Sequence, residues 1–431
     1  MSNDGRSINR RHLLQGLGRI AAIAAVAPTA LGASTAHARA EEELAPGSPG
    51  SVDMSSDRLE DVFARLQRRV SEGLIPGAVA LIARRGRIVG HRAFGTRVRG
   101  HVEDEAVTLD TLFDLQSMTK VVATATAALV LVQDGVLHLD DPVVEYLPSF
   151  TGSGKSAVTV RHMLRYSAGL PLDNQFLDDP DDERVIRRMA ETPLEYAPGS
   201  QVLYSDLTYR LLGRVVQAAA GVDLDTFAKA RIWGPLGMSD TTYNPSPALI
   251  PRTAATGYSE VRGYVVRGEV QDEQDFALGG IAGCDGVFST ARDIATFCQM
   301  ILNRGTYGGV RILDRRLSKQ MVMNQTPQVT AAATDVSPIA NLLSTPKGYG
   351  WELATRRFSN GGMRLSGASF GKAGGAGTFM WIDPARELFG ILLTNHGLPT
   401  PFDDIGWSRM LDAIGCTEYF DGIINALTDE G

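Results

Sequence analysis

Cysteine and histidine are both scarce in this sequence. The 431 residues include three cysteines, Cys284, Cys298 and Cys416, and seven histidines. Three widely spaced cysteines exclude a disulfide framework and match no zinc motif, so buried free thiols are favoured over a single disulfide. The histidines show no metal-ligand spacing. The sequence therefore predicts no metal and no cofactor.

Excess positive charge is lacking as well. Lysine and arginine together number 42 against 49 aspartate and glutamate, which gives a formal net charge of −7. An acidic chain has no electrostatic footprint for nucleic acid, and no basic amphipathic stretch indicates a membrane surface. We therefore expect small-molecule partners, without nucleic acid and without stable membrane insertion of the mature chain.

The N-terminal residues have the pattern of an export signal. The pair Arg10–Arg11 precedes a short apolar stretch at 20–31, and A-x-A cleavage patterns end at Ala38 and at Ala40. The apolar stretch is well short of the ~20 residues that span a bilayer. We predict a cleaved twin-arginine-type signal peptide over 1–40 and a periplasmic or secreted protein.

Two hairpins lie at opposite ends of the remaining chain. Apolar runs at 78–83 and 88–94 flank a charged turn, and runs at 378–382 and 388–394 flank a second such turn. The periodicity between the hairpins is mostly helical. Short turns indicate antiparallel pairing, because parallel strands need long crossovers. We predict an α+β fold, with an antiparallel sheet built from both termini, flanked by helices, and a mostly helical inserted region.

Composition and periodicity also suggest where the domain begins and how it is divided. Residues 41–56, rich in Glu, Pro, Gly and Ser, are predicted to form a flexible lead-in. A single domain then spans 57–431. Its α/β part covers about 57–116 and 280–431, and its helical part covers about 117–279.

One short motif carries chemistry. Ser117 and Lys120 are three residues apart, a spacing that places a hydroxyl and an amine on one face of a helix. A serine hydroxyl becomes a good nucleophile when a neighbouring base takes its proton. Residues 121–132 are nearly all Val, Ala, Thr or Leu, which predicts a buried helix, and burial lowers the pKa of a lysine. We therefore expect Lys120 to be a neutral amine beside Ser117.

Further motifs give the chain a family resemblance. Tyr204-Ser205-Asp206 lies just before a helical run, and Lys372-Ala373-Gly374-Gly375 opens the penultimate strand. With S-x-x-K, they resemble the serine β-lactamase and penicillin-recognising hydrolase superfamily, especially its class C-like branch with the family VIII carboxylesterases. The other matching stretches are Asp134–Val143, Val158–Leu164, Tyr196–Gly199, Pro235–Met238, Phe288–Asp293 and Gly348–Trp351. The resemblance covers nearly the whole mature chain and implies a serine β-lactamase-like, or transpeptidase-like, fold.

The resemblance also implies roles for individual residues. Ser117 would be the acylated nucleophile, Lys120 its partner, and Tyr204 the residue that carries the serine proton to the leaving group. The oxyanion hole would be formed by the backbone N–H groups of Ser117 and Gly375, which stabilise negative charge as it develops. The implied reaction is acyl transfer through an acyl-enzyme, followed by hydrolysis.

Three residues are implied in substrate binding: Asp206, Lys372 and Gly374. Asp206 replaces the asparagine that β-lactamases usually carry, so an acceptor-only carboxylate replaces an amide. If Asp206 approaches Lys120, its charge would raise the lysine pKa, and Tyr204 would be the better base. Lys372 matches the lysine with which β-lactam and peptide processors hold a carboxylate, whereas many esterase relatives carry His or Trp there.

The sequence thus predicts an exported serine hydrolase, most simply a carboxylesterase. Two alternatives stay open. Lys372 and the exported location favour a D,D-peptidase or a class C-like β-lactamase. Asp206 is the residue that favours a non-catalytic, penicillin-binding-type sensor domain, which acylates slowly or not at all.

A competing serine motif is rejected. Gly367 to Gly371 spell G-x-S-x-G around Ser369, the nucleophile elbow of α/β-hydrolases, and Asp383 and His396 follow in the required order. That elbow needs a helix after the serine. Ser369 instead precedes a glycine run and a predicted strand.

Overall fold

The structure is a computed structural model that describes residues 44–99, 105–326, 345–355, 359–397 and 404–429. The predicted signal peptide at 1–40 lies outside these residues. Within them the strands are β1 (Ala45–Pro46), β2 (Gly77–Arg84), β3 (Arg87–Gly95), β4 (Phe113–Asp114), β5 (Thr242–Tyr243), β6 (Ala255–Ser259), β7 (Tyr264–Arg267), β8 (Val287–Ser289), β9 (Thr306–Tyr307), β10 (Val310–Arg311), β11 (Glu352–Leu353), β12 (Phe370–Gly374), β13 (Thr378–Asp383) and β14 (Leu388–Thr394).

The described helices lie mostly between β4 and β11 and after β14. The α-helices are α1 (Ser56–Ser71), α2 (Thr126–Gln133), α3 (Val160–Leu164), α4 (Asp182–Glu191), α5 (Asp206–Ala220), α6 (Leu224–Ala228), α7 (Gly234–Leu236), α8 (Glu273–Ala277), α9 (Ala291–Leu302), α10 (Arg315–Val322), α11 (Asp404–Ile414) and α12 (Cys416–Asn425). The π-helical turns are Lys120–Ala125 and Lys229–Trp233. The 3₁₀ turns are Pro49–Val52, Gln116–Met118, Val143–Glu145, Lys155–Ala157 and Ile250–Arg252.

Strands from both ends of the chain form one sheet. In the described part of the chain its order is β1-β3-β2-β14-β13-β12-β11. The neighbours β2 and β14 are antiparallel and join the two predicted hairpins at the centre of the sheet. The α+β prediction is therefore confirmed. The sheet departs from it only at one edge, where β1 runs parallel to β3.

Helices cover both faces of this sheet. Successive side chains of a strand point to opposite faces, so Val79 and Leu81 of β2 join the core on the side of the helical region, and Ala78 and Ile82 join the core on the other side. Helix α9 packs on the first face, and α12 packs on the second beside α1. The buried central strands are therefore rigid supports for the residues at their ends.

Residues 44–55 pack against the sheet, so the predicted flexible lead-in is wrong over these residues. Leu44 and Val52 are buried, and Met54 forms a bridge with Leu427. These few apolar side chains fix a segment whose composition is typical of loops. Helix α1 then begins at Ser56, and the side chain of Ser55 accepts a hydrogen bond from its first turn.

The three cysteines are free and buried, as expected. Burial raises the pKa of the Cys298 thiol well above its ordinary value, which keeps it protonated. Among the described residues, no helix combines the length and the apolar character that crossing a membrane requires.

Candidate active site

Ser117 lies on the 3₁₀ turn that follows β4, directly before the π-helical turn. The preceding residue, Gln116, has a φ of 49°, a left-handed conformation that costs a non-glycine residue about 1–3 kcal/mol. The buried carboxylate of Asp114 holds it there, accepting from Gln116 N at 3.0 Å and from Gln116 Nε2 at 3.1 Å. Burial raises the pKa of Asp114 to about 6, although its hydrogen bonds oppose the shift. The turn that presents Ser117 is therefore fixed from behind.

Three predicted side chains meet at Ser117 Oγ. Lys120 Nζ donates to this oxygen at 2.9 Å, and the hydroxyl of Tyr204 donates to it at 2.6 Å. Lys120 and Tyr204 are buried, whereas Ser117 is half-buried. Tyr204 comes from the segment just before α5, which packs against the π-helical turn that carries Lys120. An accessible serine hydroxyl thus receives hydrogen bonds from two donors that are shielded from solvent.

Lys120 is a cation and not the expected neutral amine. Its Nζ lies 2.6 Å from Asp206 Oδ1 and 3.7 Å from Asp285 Oδ1. Burial lowers the pKa of Lys120, but these carboxylates outweigh burial and raise it well above its ordinary value. Sequence reasoning foresaw this effect for Asp206 but missed Asp285. The structure places Asp206 against Lys120 and not free for a substrate.

Tyr204 is also protonated at neutral pH. Burial, followed by the charges of Asp206 and Asp285, raises the pKa of Tyr204 well above its ordinary value. Its ring stacks on Tyr166 at a centroid distance of 5.1 Å. The interpretation of Tyr204 as the better base is therefore wrong for the free enzyme, where the phenol donates to Ser117.

An acidic cluster lies behind Lys120 and is compensated by Arg210. The guanidinium donates to Asp275 at 2.5 Å and to Asp272 at 2.9 Å, and Cys284 Sγ donates to Asp275 at 2.7 Å. Burial raises the pKa of Asp275 to about 7 although Arg210 opposes the shift. Ligand atoms of Asp275, Cys284 and Asp285 lie within 4.8 Å of one another. Within this cluster Asp275 is held by the thiol of Cys284 and by the guanidinium of Arg210, which supplies its counter-charge.

Lys372 is buried in an ion pair. Its Nζ lies 3.1 Å from Glu352 Oε1 and is completely shielded from solvent. Burial lowers the pKa of Lys372, with Glu352 opposing the shift. Nearby Lys347 is also buried, which lowers its pKa to about 7. The lysine predicted to hold a substrate carboxylate thus already has a carboxylate, from a residue that sequence reasoning missed. The sequence offered one signal for Glu352: a charged residue in a short buried strand, β11, needs a partner of opposite charge.

Gly374 brings β12 against the segment before Ser117. A Cβ on this residue would clash with the carbonyl oxygen of Leu115 and with the side chain of Thr378, and Thr378 Oγ1 donates to that carbonyl at 3.0 Å. Close packing therefore explains the glycine. Gly375 begins the turn from β12 to β13, and its place in the oxyanion hole stays a prediction.

Ser369, the serine of the G-x-S-x-G motif, lacks the surroundings of a nucleophile elbow, as expected. Ser369 is followed by strand β12, and its hydroxyl lies 3.2 Å from Ser366 Oγ. Asp383 accepts instead from Ser366 and Arg386, while His396 Nδ1 lies 3.0 Å from the carbonyl of Gly397.

The fold and the family comparison together identify this protein as a serine hydrolase. Residues 62–414 match the family model described as Beta-lactamase, and the chain therefore belongs to the β-lactamase family. A protein of Escherichia coli (strain K12), provisionally named D-alanyl-D-alanine carboxypeptidase, is 30% identical over an alignment of 388 positions that covers 82% of this chain and 85% of that protein.

Solved structures share the fold. EstCE1, a hydrolase with promiscuous acyltransferase activity, superposes with a TM-score of 0.63 and 22% identity over 83% of this chain and 98% of its own. Unliganded simvastatin synthase (LovD) from Aspergillus terreus gives a TM-score of 0.67 with 20% identity, over 88% of this chain and 100% of its own. At these identities the likeness establishes the architecture alone.

Proposed function

We propose that this chain is an exported carboxylesterase that forms an acyl-enzyme on Ser117, with Lys120 and Tyr204 as proton-transfer partners. The observation that carries the proposal is the convergence of both donors on Ser117 Oγ, at 2.9 and 2.6 Å. Two donors at one oxygen stabilise the serine alkoxide as it forms. The backbone N–H groups of Ser117 and Gly375 would bind the carbonyl oxygen. The paired arginine and A-x-A patterns of residues 1–40 support export to the periplasm or beyond.

The surroundings of Lys372 favour an ester without a free carboxylate. Glu352 neutralises this lysine at 3.1 Å, and no part of the lysine side chain is exposed. A substrate carboxylate directed at Lys372 would approach Glu352 as well, and like charges brought together lose several kcal/mol. The site therefore suits neutral acyl esters better than peptides with a terminal carboxylate.

A D-alanyl-D-alanine carboxypeptidase is the second candidate. It is favoured by the name of the relative at 30% identity and by the presence of a lysine at position 372. In this function the substrate carboxylate would have to displace Glu352 from Lys372. The two candidates share the Ser117 chemistry and differ in the charge of the substrate.

A matched pair of esters tests this choice. Phenyl butyrate and 3-(butyryloxy)benzoate carry the same acyl group and differ by one carboxylate on the leaving group. We expect kcat/KM of the purified mature protein to be at least about tenfold higher for the neutral ester. A chromogenic cephalosporin and a D-Ala-D-Ala peptide complete the panel. Faster turnover of the peptide would favour the second candidate, and stoichiometric acylation without turnover would favour a sensor.

The substitution Glu352→Gln should change this preference. An amide of the same shape removes the negative charge beside Lys372, so the ratio of kcat/KM for 3-(butyryloxy)benzoate over phenyl butyrate should rise by about tenfold. Glu352→Asp keeps the charge and is the matched control, with a ratio close to that of the unmodified protein. Equal ratios in the glutamine variant and the unmodified protein would remove Glu352 from substrate selection.

A further inference from the structure

Lys120 has no free lone pair for the proton of Ser117. Its ammonium group lies 2.6 Å from Asp206 Oδ1, and it donates to Ser117 Oγ at 2.9 Å and to the carbonyl oxygen of Cys284 at 3.2 Å. A lysine ammonium has three donors and no acceptor. Lys120 can therefore receive a proton only when it passes one of its own to another group.

Two carboxyl groups lie near Lys120 Nζ, and they differ in distance and in surroundings. Asp206 is the closer, at 2.6 Å against 3.7 Å for Asp285. Burial raises the pKa of Asp206, but Lys120 and Arg210 outweigh burial and lower it below its usual value. At Asp285, burial together with Asp206 outweighs the attraction of Lys120 and raises the pKa well above its usual value. Asp206 is therefore the carboxylate in direct reach of Lys120 Nζ, whereas Asp285 lies beyond hydrogen-bond distance of it.

The local fold keeps Asp206 ionised. Asp206 is the first residue of α5, where the side chain of Ser205 caps the helix by accepting from Thr208 N. Negative charge in the first turn of a helix is stabilised by the helix dipole. Arg210 follows four residues later, on the same face of the helix.

We propose that Asp206 is the terminal proton acceptor for Ser117, which it reaches through Lys120. This inference rests on the proposed acyl transfer at Ser117. As Ser117 Oγ bonds to the acyl carbon, one Nζ proton passes from Lys120 to Asp206 Oδ1, and the lone pair that this frees on Nζ accepts the Ser117 proton. When the ester C–O bond breaks, the Tyr204 hydroxyl gives its proton to the leaving oxygen, and the proton held on Asp206 returns through Lys120 to the Tyr204 oxygen. Lys120 is an ammonium before and after each transfer, and Asp206 acts through it without touching the substrate.

Several charged or titratable groups face Asp206 and enter its titration. They are Lys120, Asp173, Tyr204, Arg210, Asp285 and Lys372. A single substitution at Asp206 would not separate their contributions. Asp285→Asn is the matched control, because it makes the same chemical change next to the same lysine and leaves the other groups in place.

The test is the pH dependence of kcat/KM for phenyl butyrate. In the unmodified protein the rate should stay nearly constant down to about pH 5, since an acceptor with a lowered carboxylate pKa remains ionised there. In Asp206→Asn, Lys120 loses its closest carboxylate and becomes the acceptor itself. Because the free amine of Lys120 is then required, kcat/KM should fall about tenfold per pH unit below the lysine pKa. This low-pH fall, the acid limb of the profile, should begin at least about 1 pH unit higher than in the unmodified protein. Asp285→Asn should keep the original limb, because Asp285 lies 3.7 Å from Lys120 Nζ, beyond hydrogen-bond distance, and Asp206 stays in place.

The position of the limb does not depend on how much protein is folded. An unshifted limb in Asp206→Asn, or a shift in Asp285→Asn alone, would overturn the proposal. If Asp206→Asn shows no turnover at any pH, Asp206→Glu decides: return of activity with the original limb supports the acceptor role, and inactivity contradicts it. Absence of Ser117-dependent turnover in the unmodified protein would instead refute the proposed function.

Discussion

Replacing Ser117 by alanine should lower ester kcat/KM by at least about 10⁴-fold, because the acyl-enzyme can no longer form. Lys120 and Tyr204 both donate to the oxygen that the substitution removes, and neither is a free nucleophile. Their donors remain in place, so substrate binding should change little. Steady-state kinetics with phenyl butyrate, together with mass spectrometry of the protein after incubation with a slow ester, measures both consequences. No acyl adduct should form on the variant.

Ser369→Ala is the matched control for this result. Ser369 is buried and bonds to Ser366, and it belongs to the sequence motif that most resembles a different hydrolase nucleophile. The same serine-to-alanine change should leave kcat/KM within about twofold, since Ser369 contacts none of the proposed reacting groups. Ester turnover that survives in Ser117→Ala but disappears in Ser369→Ala would reverse the assignment of the nucleophile.

The fold was predictable where the signal is local. The hairpins of β2 with β3 and of β13 with β14 follow from apolar runs separated by short charged turns, which is a property of a few neighbouring residues. Strand β1 was not predictable, because two residues with a proline have no strand periodicity. Their position depends on docking of Leu44 and Val52 onto a sheet that the rest of the chain builds.

The candidate site was likewise predictable only in part. The motifs identified Ser117, Lys120 and Tyr204, and the structure brings them together. They did not give the protonation of Lys120, because its surroundings come from distant segments: the Cys284 carbonyl that accepts from it is 164 residues away. Glu352 was missed for the same reason, since only the pairing of β11 with β12 brings it to Lys372. Spacing along the chain identifies the residue types of a site, whereas its charges depend on contacts between elements.

Substitution of Arg210 should cause a large loss of folding stability. Its side chain is 1% exposed and forms ion pairs with Asp173, Asp272 and Asp275, which come from the loop before α4, the residue before α8 and α8 itself. A buried pair contributes little net stability, because both charges lose water, but removal of one partner leaves the others uncompensated. The substitution Arg210→Met leaves one buried acid, Asp275, and two half-buried acids, Asp173 and Asp272, with one cation fewer. It should therefore lower the free energy of unfolding by about 3–5 kcal/mol at pH 8.

The loss in Arg210→Met should shrink as the pH falls. Without Arg210, the folded-state pKa values of Asp173 and Asp275 rise further above their unfolded values, and that of Asp275 is already about 7. A group whose pKa is raised on folding favours the folded state at low pH and disfavours it as the pH rises through the folded pKa. The deficit at pH 5 should therefore be smaller than at pH 8 by at least about 1 kcal/mol. Urea unfolding at both pH values measures this, with the exposed Arg184→Met as the control that changes little at either pH. A deficit of equal size at pH 5 and pH 8 would mean that Arg210 stabilises the fold by packing alone and that the acids find other compensation.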